Sequence, residues 1–196
     1  MALLALVGCD AAPSPSSPAP IATSFATELV SFTLGTDGGM GQSSLPGIVL
    51  GPPQGAGDVS GSTDTLSLGK GGVVVLGFGD RPIVDGPGAD LVVFENAFFA
   101  GGNPSAVYAE LGEVSVSADG QTWATFPCDP SASGPPWPGC AGWTPVQESG
   151  AGGEAFDLAT VGLTEARYVR IEDVAGKGSG AAAGFDLDAV GVINRR

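Results

Sequence analysis

The sequence predicts an all-β protein, an antiparallel β-sandwich of jelly-roll type. Three observations carry that expectation. Gly (33) and Pro (16) make up a quarter of the 196 residues, about twice their average share. Hydrophobic residues nevertheless reach 43%, so the chain is not a disordered one. The Gly and Pro mostly separate short apolar runs, the pattern of tight turns between strands, and no apolar periodicity of helical type extends over a useful length. The length suits one domain with a single core.

The strand signals run through the chain in order. Residues 29–34 alternate loosely, and residues 48–50 are a short apolar run before Gly51-Pro-Pro. Residues 65–68 lead through Gly69-Lys-Gly-Gly72 into 73–78, which is β-branched and apolar on both faces. Residues 90–99 place Val92, Phe94 and Phe98 on one face and Leu91, Val93 and Phe99 on the other, as a central strand inside a sandwich does. Residues 113–117 alternate, Ala118-Asp-Gly120 is a hairpin turn, and 121–126 is the expected return strand with Trp123 in the core. Residues 156–161 read as a short strand or a single helical turn. Residues 167–173 turn Val169 and Ile171 inward and Tyr168 and Arg170 outward, and 184–194 form the closing strand. Eight to ten short strands with Gly/Pro turns imply the sandwich.

Charge and composition exclude several kinds of chemistry. The chain has 21 acidic and 7 basic residues, a net charge of −14, and no histidine. Without histidine there is no Ser-His-Asp or Cys-His nucleophile, no His-ligated zinc and no imidazole base. The acidic balance argues against nucleic acid as a partner, because neutralising phosphates needs clustered Lys and Arg.

Cysteine usage points to an exported protein. Residues 1–9 are a short apolar run ending in Leu6-Val-Gly-Cys9. They resemble the lipobox of bacterial lipoproteins, which implies lipidation of Cys9; the alternative is a chance cysteine in a leader. The run is too short to span a bilayer. It lacks the charged n-region of a signal, so the true start is expected upstream. Residues 10–22, rich in Pro, Ser and Ala, form a tether, and the domain is expected over 23–196. Membrane contact is then through the lipid alone. Cys128 and Cys140 remain as an even pair, and an oxidising compartment makes a disulfide the expected outcome, against two free thiols or a metal pair.

Two fragments, Val114-Ser-Val-Ser-Ala-Asp-Gly-Gln-Thr-Trp123 and Ala166-Arg-Tyr-Val-Arg-Ile171, resemble the discoidin or galactose-binding-like jelly roll. Over roughly residues 46–194, Leu68-Gly-Lys-Gly-Gly72, Ile83-Val-Asp-Gly-Pro-Gly-Ala-Asp90, Phe94-Glu-Asn96, Phe156-Asp-Leu158 and Gly184-Phe-Asp-Leu-Asp-Ala-Val190 stand in one order. In that order the chain is similar to secreted bacterial cell-surface proteins of the PEP-CTERM-associated type. The resemblance implies fold and location more than activity.

Acidic residues cluster at tight turns. Asp186 and Asp188 are two apart, so in a regular strand they project together while Phe185 and Leu187 pack inward. With Glu95, Asn96 and Asp90 they form the expected oxygen-rich set for a cation. Ca²⁺ suits such a set, since it takes six to eight oxygens from carboxylates, amides and carbonyls. Calcium is also what the galactose-binding-like resemblance implies. Internal hydrogen bonds, or pairing with Arg81, Arg167 or Arg170, are the alternatives. Trp137, inside the Pro-rich cysteine loop, and Trp143, just beyond it, are candidate stacking platforms for a sugar; plugging the loop against the sandwich is the competing role for Trp137.

The functional expectation is a monomeric, non-catalytic cell-surface module that binds an extracellular glycan or surface polymer and carries a structural calcium ion. The alternatives are an adhesive surface lipoprotein without a small-molecule site, or a glycoside hydrolase working through paired carboxylates.

Overall fold

The computed structural model describes residues 22–196. The expected signal remnant, Cys9 and the tether up to residue 21 lie outside the described residues. Alternating and doubly apolar runs become two antiparallel sheets. One holds β1 (Ser24–Phe25), β3 (Leu66–Ser67), β6 (Leu91–Glu95), β12 (Glu154–Phe156) and β15 (Asp186–Val192), in the order β1-β15-β6-β12 with β3 also on β15. The other holds β2 (Glu28–Thr33), β4 (Val73–Gly77), β9 (Gly112–Ser117), β10 (Ala124–Thr125), β11 (Cys140–Ala141) and β14 (Tyr168–Asp173), in the order β10-β9-β14-β4-β2 with β11 also on β9. Two short ribbons, β5 (Ile83–Val84) with β13 (Glu165–Ala166) and β7 (Phe98–Phe99) with β8 (Val107–Tyr108), complete it. The helical segments among the described residues are 3₁₀ turns of three or four residues.

The sheets face each other over one core. Leu66, Leu91, Val93, Phe185, Leu187 and Val190 come from the first sheet and its edges; Val74, Leu76, Val114, Val116, Val169 and Ile171 come from the second. Burying each such side chain contributes roughly 1.5–3 kcal/mol. Along β14 the alternation is complete: Val169 and Ile171 are buried, while Tyr168, Arg170 and Glu172 stand half-exposed on the outer face. β6 is buried throughout. Leu91 and Val93 enter the main core, while Val92 and Phe94 pack behind the sheet with Val146 and Ala189. Its place between β15 and β12 accounts for the two apolar faces. At the turn before β15, Gly184 (φ +77°) lies so close to Gly69 that a Cβ would come within 2.5 Å of that residue's backbone, and only glycine fits this approach.

Three segments differ from the sequence expectation, and a fourth meets it. Residues 90–99 do not run as one strand: β6 stops at Glu95, and Phe98–Phe99 pair with β8 instead. Ile48 and Val49 fall in a 3₁₀ turn over Gly47–Val49 that follows Pro46, and Leu50 caps it. The return strand at 121–126 shrinks to Ala124–Thr125, because the Asp119 carboxylate accepts the N–H groups of Gln121 and Thr122, both at 2.8 Å, and holds them in the turn. Trp123 is therefore half-buried on the outer face, under the Arg170 guanidinium at 4.9 Å, and is not a core residue. Residues 156–161 contain both expected elements, the end of β12 and a 3₁₀ turn over Leu158–Val161.

Cys128 and Cys140 form the disulfide, closing a loop of sequence separation 12 that has no strand or helix of its own. In the chain-entropy model a loop of this size contributes about 3 kcal/mol. Replacing both cysteines by serine is expected to lower the melting temperature by about 6–12 °C, measured by calorimetry; an unchanged melting temperature would show that the bond constrains nothing.

Candidate functional site

The site forms where the two sheets end together. Glu95 is the last residue of β6, and Leu187 of β15 lies opposite it. Asp186 opens β15 opposite Ser67 of β3. Glu110 comes from the other sheet's approach, between β8 and β9, in a segment where Ala109 and Leu111 are buried and anchor it. The three side chains each offer a carboxylate oxygen, and those oxygens lie within 4.8 Å of one another. Glu95, Glu110 and Asp186 are only 2%, 3% and 5% exposed.

Few donors face this charge. The Asn96 amide donates to Asp186 Oδ2 at 3.5 Å, and its oxygen accepts the Ser62 N–H. Asn96 thereby orients Asp186, and its own oxygen is already engaged. Glu95 Oε2, Glu110 Oε1, Asp186 Oδ1 and Ser67 Oγ are buried without a hydrogen-bond partner. Burial holds Glu95 well above the usual carboxylate range, reinforced by the charges of Asp186, Glu110 and Glu154. Burial, then Asp186 and Asp173, push Glu110 up to about 8 against the pull of Lys177. Burial raises Asp186 as well, opposed by Ser67 and Asn96. Tyr108 is pushed up by its own burial and then by Glu110. Close, dry, like charges of this kind favour either protons or a cation between them.

The five residues that the sequence grouped separate in space. Glu95, Asn96 and Asp186 meet; Asp188 and Asp90 do not join them. β15 skips a residue in its register with β6 between Leu187 and Ala189, and this bulge breaks the two-residue alternation that would have put Asp186 and Asp188 side by side. Asp188 instead accepts the Gln54 N–H with both oxygens, at 3.0 and 2.9 Å, and burial pushes it up to about 7. Asp90, fully buried, accepts from Gly86 N–H at 2.9 Å, Asn194 Nδ2 at 2.8 Å and Leu158 N–H at 2.8 Å. Its oxygens also lie within reach of Asp85 and Asp157, yet its hydrogen bonds are complete and its role is to tie three loops together.

Glu110, Ser67 and Glu154 are the residues that the sequence reading missed. Glu154 accepts Gly142 N–H at 2.7 Å and Trp143 N–H at 3.3 Å, and burial pushes it up to about 7.

The aromatic candidates flank this acidic end. The Trp137 indole N–H donates to Ala132 O at 2.9 Å within the stapled loop. Its ring packs on the small cluster of Ala109, Leu111 and Cys140, with Lys177 Nζ 5.9 Å from the ring centroid, so it plugs the loop. Trp143 is half-buried, with its indole N–H on Cys140 O at 3.1 Å. One side of it lines an apolar groove of about 220 Å³ with Phe99, Pro104, Val107 and Pro145. No protein-family model matches the chain, and no curated protein matches it.

Two outcomes are expected. Asp90→Ala strands three donors and destabilises the fold by about 3–5 kcal/mol, measured by denaturant unfolding; a loss below about 1 kcal/mol would contradict the assigned role. In EDTA, stability falls as pH rises from about 4.5 to about 8. Glu110, Glu154 and Asp188 hold protons in the fold that the unfolded chain releases at lower pH. Melting curves across that range check the sign.

Proposed function

We propose that the chain is a non-catalytic binding module of the bacterial cell surface, exported, held by a lipid on Cys9, and built to take a carbohydrate ring beside Trp143. The observation that carries the reading is the groove. Trp143, Phe99 and Val107 give it an apolar wall for stacking on a sugar face, and the Trp143 backbone N–H, donating to Glu154 at 3.3 Å, ties that wall to the acidic end. At about 220 Å³ it is smaller than the roughly 300–1,000 Å³ of drug-sized pockets, so it suits one ring or a chain end.

The disulfide supports an oxidising location, as does the lipobox resemblance. Motifs that resemble PEP-CTERM-associated surface proteins supply three site residues, since Phe94-Glu-Asn96 and Gly184-Phe-Asp-Leu-Asp188 contribute Glu95, Asn96 and Asp186. The non-catalytic reading is supported by the burial of these carboxylates, which are at most 5% exposed, whereas a glycosidase places its pair on either side of a bound sugar.

One observation favours a second, adhesive reading. β2 is an edge strand with Val30 43% and Phe32 37% exposed, and an open apolar edge is a site for pairing with another chain. A glycan array separates the two. Specific binding lost by at least about tenfold in Trp143→Ala, with the melting temperature kept, is the expected result; no binding across the array would favour adhesion. Intact-mass measurement of membrane-extracted protein should give a chain beginning at lipidated Cys9.

A further inference from the structure

We propose that Glu95, Glu110 and Asp186 bind one calcium ion, with the Ser67 hydroxyl as a fourth oxygen. The proposal stands apart from the carbohydrate reading and survives its failure. Three carboxylates, each at most 5% exposed, present oxygens within 4.8 Å of one another. Each retains a buried oxygen that accepts no hydrogen bond. Among the described residues the ion pairs are Lys70 with Asp37 and Arg196 with Glu165, so no basic side chain neutralises this set by contact.

A second observation comes from a neutral group. Ser67, fully buried, sits opposite Asp186 in the β3–β15 register, and its hydroxyl reaches toward the Asp186 carboxylate without completing a hydrogen bond. The single Ser67 proton can satisfy one carboxylate oxygen at most, so the other buried oxygens would still lack a partner, and a cation is the group that satisfies the set together. Backbone shape agrees. Gly178 (φ +72°) passes so close to Glu110 that a Cβ would lie 2.9 Å from Oε1, and a side chain there would push that oxygen away from the others.

The donors select the ion. Histidine is absent and the described cysteines are oxidised, so the ligands are all hard oxygens. Calcium accepts six to eight of them in irregular geometry and uses carboxylates singly or through both oxygens, whereas magnesium requires a near-ideal octahedron. The set of Asp85, Asp90 and Asp157 serves as the internal comparison. Asp90 there is saturated by Gly86, Leu158 and Asn194, and Asp157 caps the Ala159 N–H.

Titration calorimetry of the EDTA-dialysed full chain with CaCl₂ and with MgCl₂, and melting curves in each, test the site. One calcium per chain is expected, preferred over magnesium, with a melting temperature higher by about 5–10 °C at a hundredfold excess over the dissociation constant. Glu110→Gln should weaken calcium binding at least about tenfold, while Asp157→Asn leaves it unchanged. No heat and no thermal shift with calcium would overturn the proposal. So would a Glu110→Gln protein that binds normally, or loss of binding in Asp157→Asn. If Glu110→Gln does not fold, Ser67→Ala, which removes one hydroxyl, must lower the affinity; an unaltered affinity then decides against the site.

Discussion

β6 and β15 lie hydrogen-bonded at the centre of the first sheet and bury side chains on both of their faces. Neither strand can slip without withdrawing Leu91, Val93, Leu187 and Val190 from one cluster and Val92, Phe94 and Ala189 from the other. A one-residue slip reverses every side chain, so the register is fixed by two cores at once. That rigidity fixes the chain positions of Glu95 and Asp186, and it forces the irregularity in their own pairing, the bulge at Asp188, to stay where it is. The second sheet then brings Glu110 in from the opposite side.

The acidic end works against the stability of the fold. Removing carboxylates from water is unfavourable, and placing three within a few ångströms adds mutual repulsion. The apolar packing around them is extensive enough to hold that arrangement: Phe185, Leu111 and Ala109 beside it are buried almost completely. Donors are supplied generously elsewhere, to Asp90, Asp119 and Glu154, so the shortage at Glu95, Glu110 and Asp186 belongs to this place and not to the protein as a whole.

The sheets were legible in the sequence, because period-two patterns and doubly apolar runs are local properties. β14 with Val169 and Ile171 inward and the buried β6 are cases where the pattern and the packing agree. The site was legible in part. Glu95, Asn96 and Asp186 stand in short motifs beside apolar runs. Glu110 stands in Tyr108-Ala-Glu-Leu111, where nothing local marks it, and only the pairing of β9 with β14 and the packing beneath it bring it to the others. Asp188 misled because a bulge is a property of two paired strands and cannot be read from one of them. Trp123 misled for a related reason: Asp119 keeps its hairpin turn wide, and the return strand begins after the tryptophan.

The distances along the chain between the three acids also constrain how the molecule forms. Ser67, Glu95, Glu110 and Asp186 belong to segments that meet only when β15 inserts between β1 and β6. Before that step the three charges are solvated and far apart on an extended chain, and they add net charge that opposes premature collapse. Non-local strand pairing of this kind is slow, and the unfavourable charge encounter comes with that pairing and not before it.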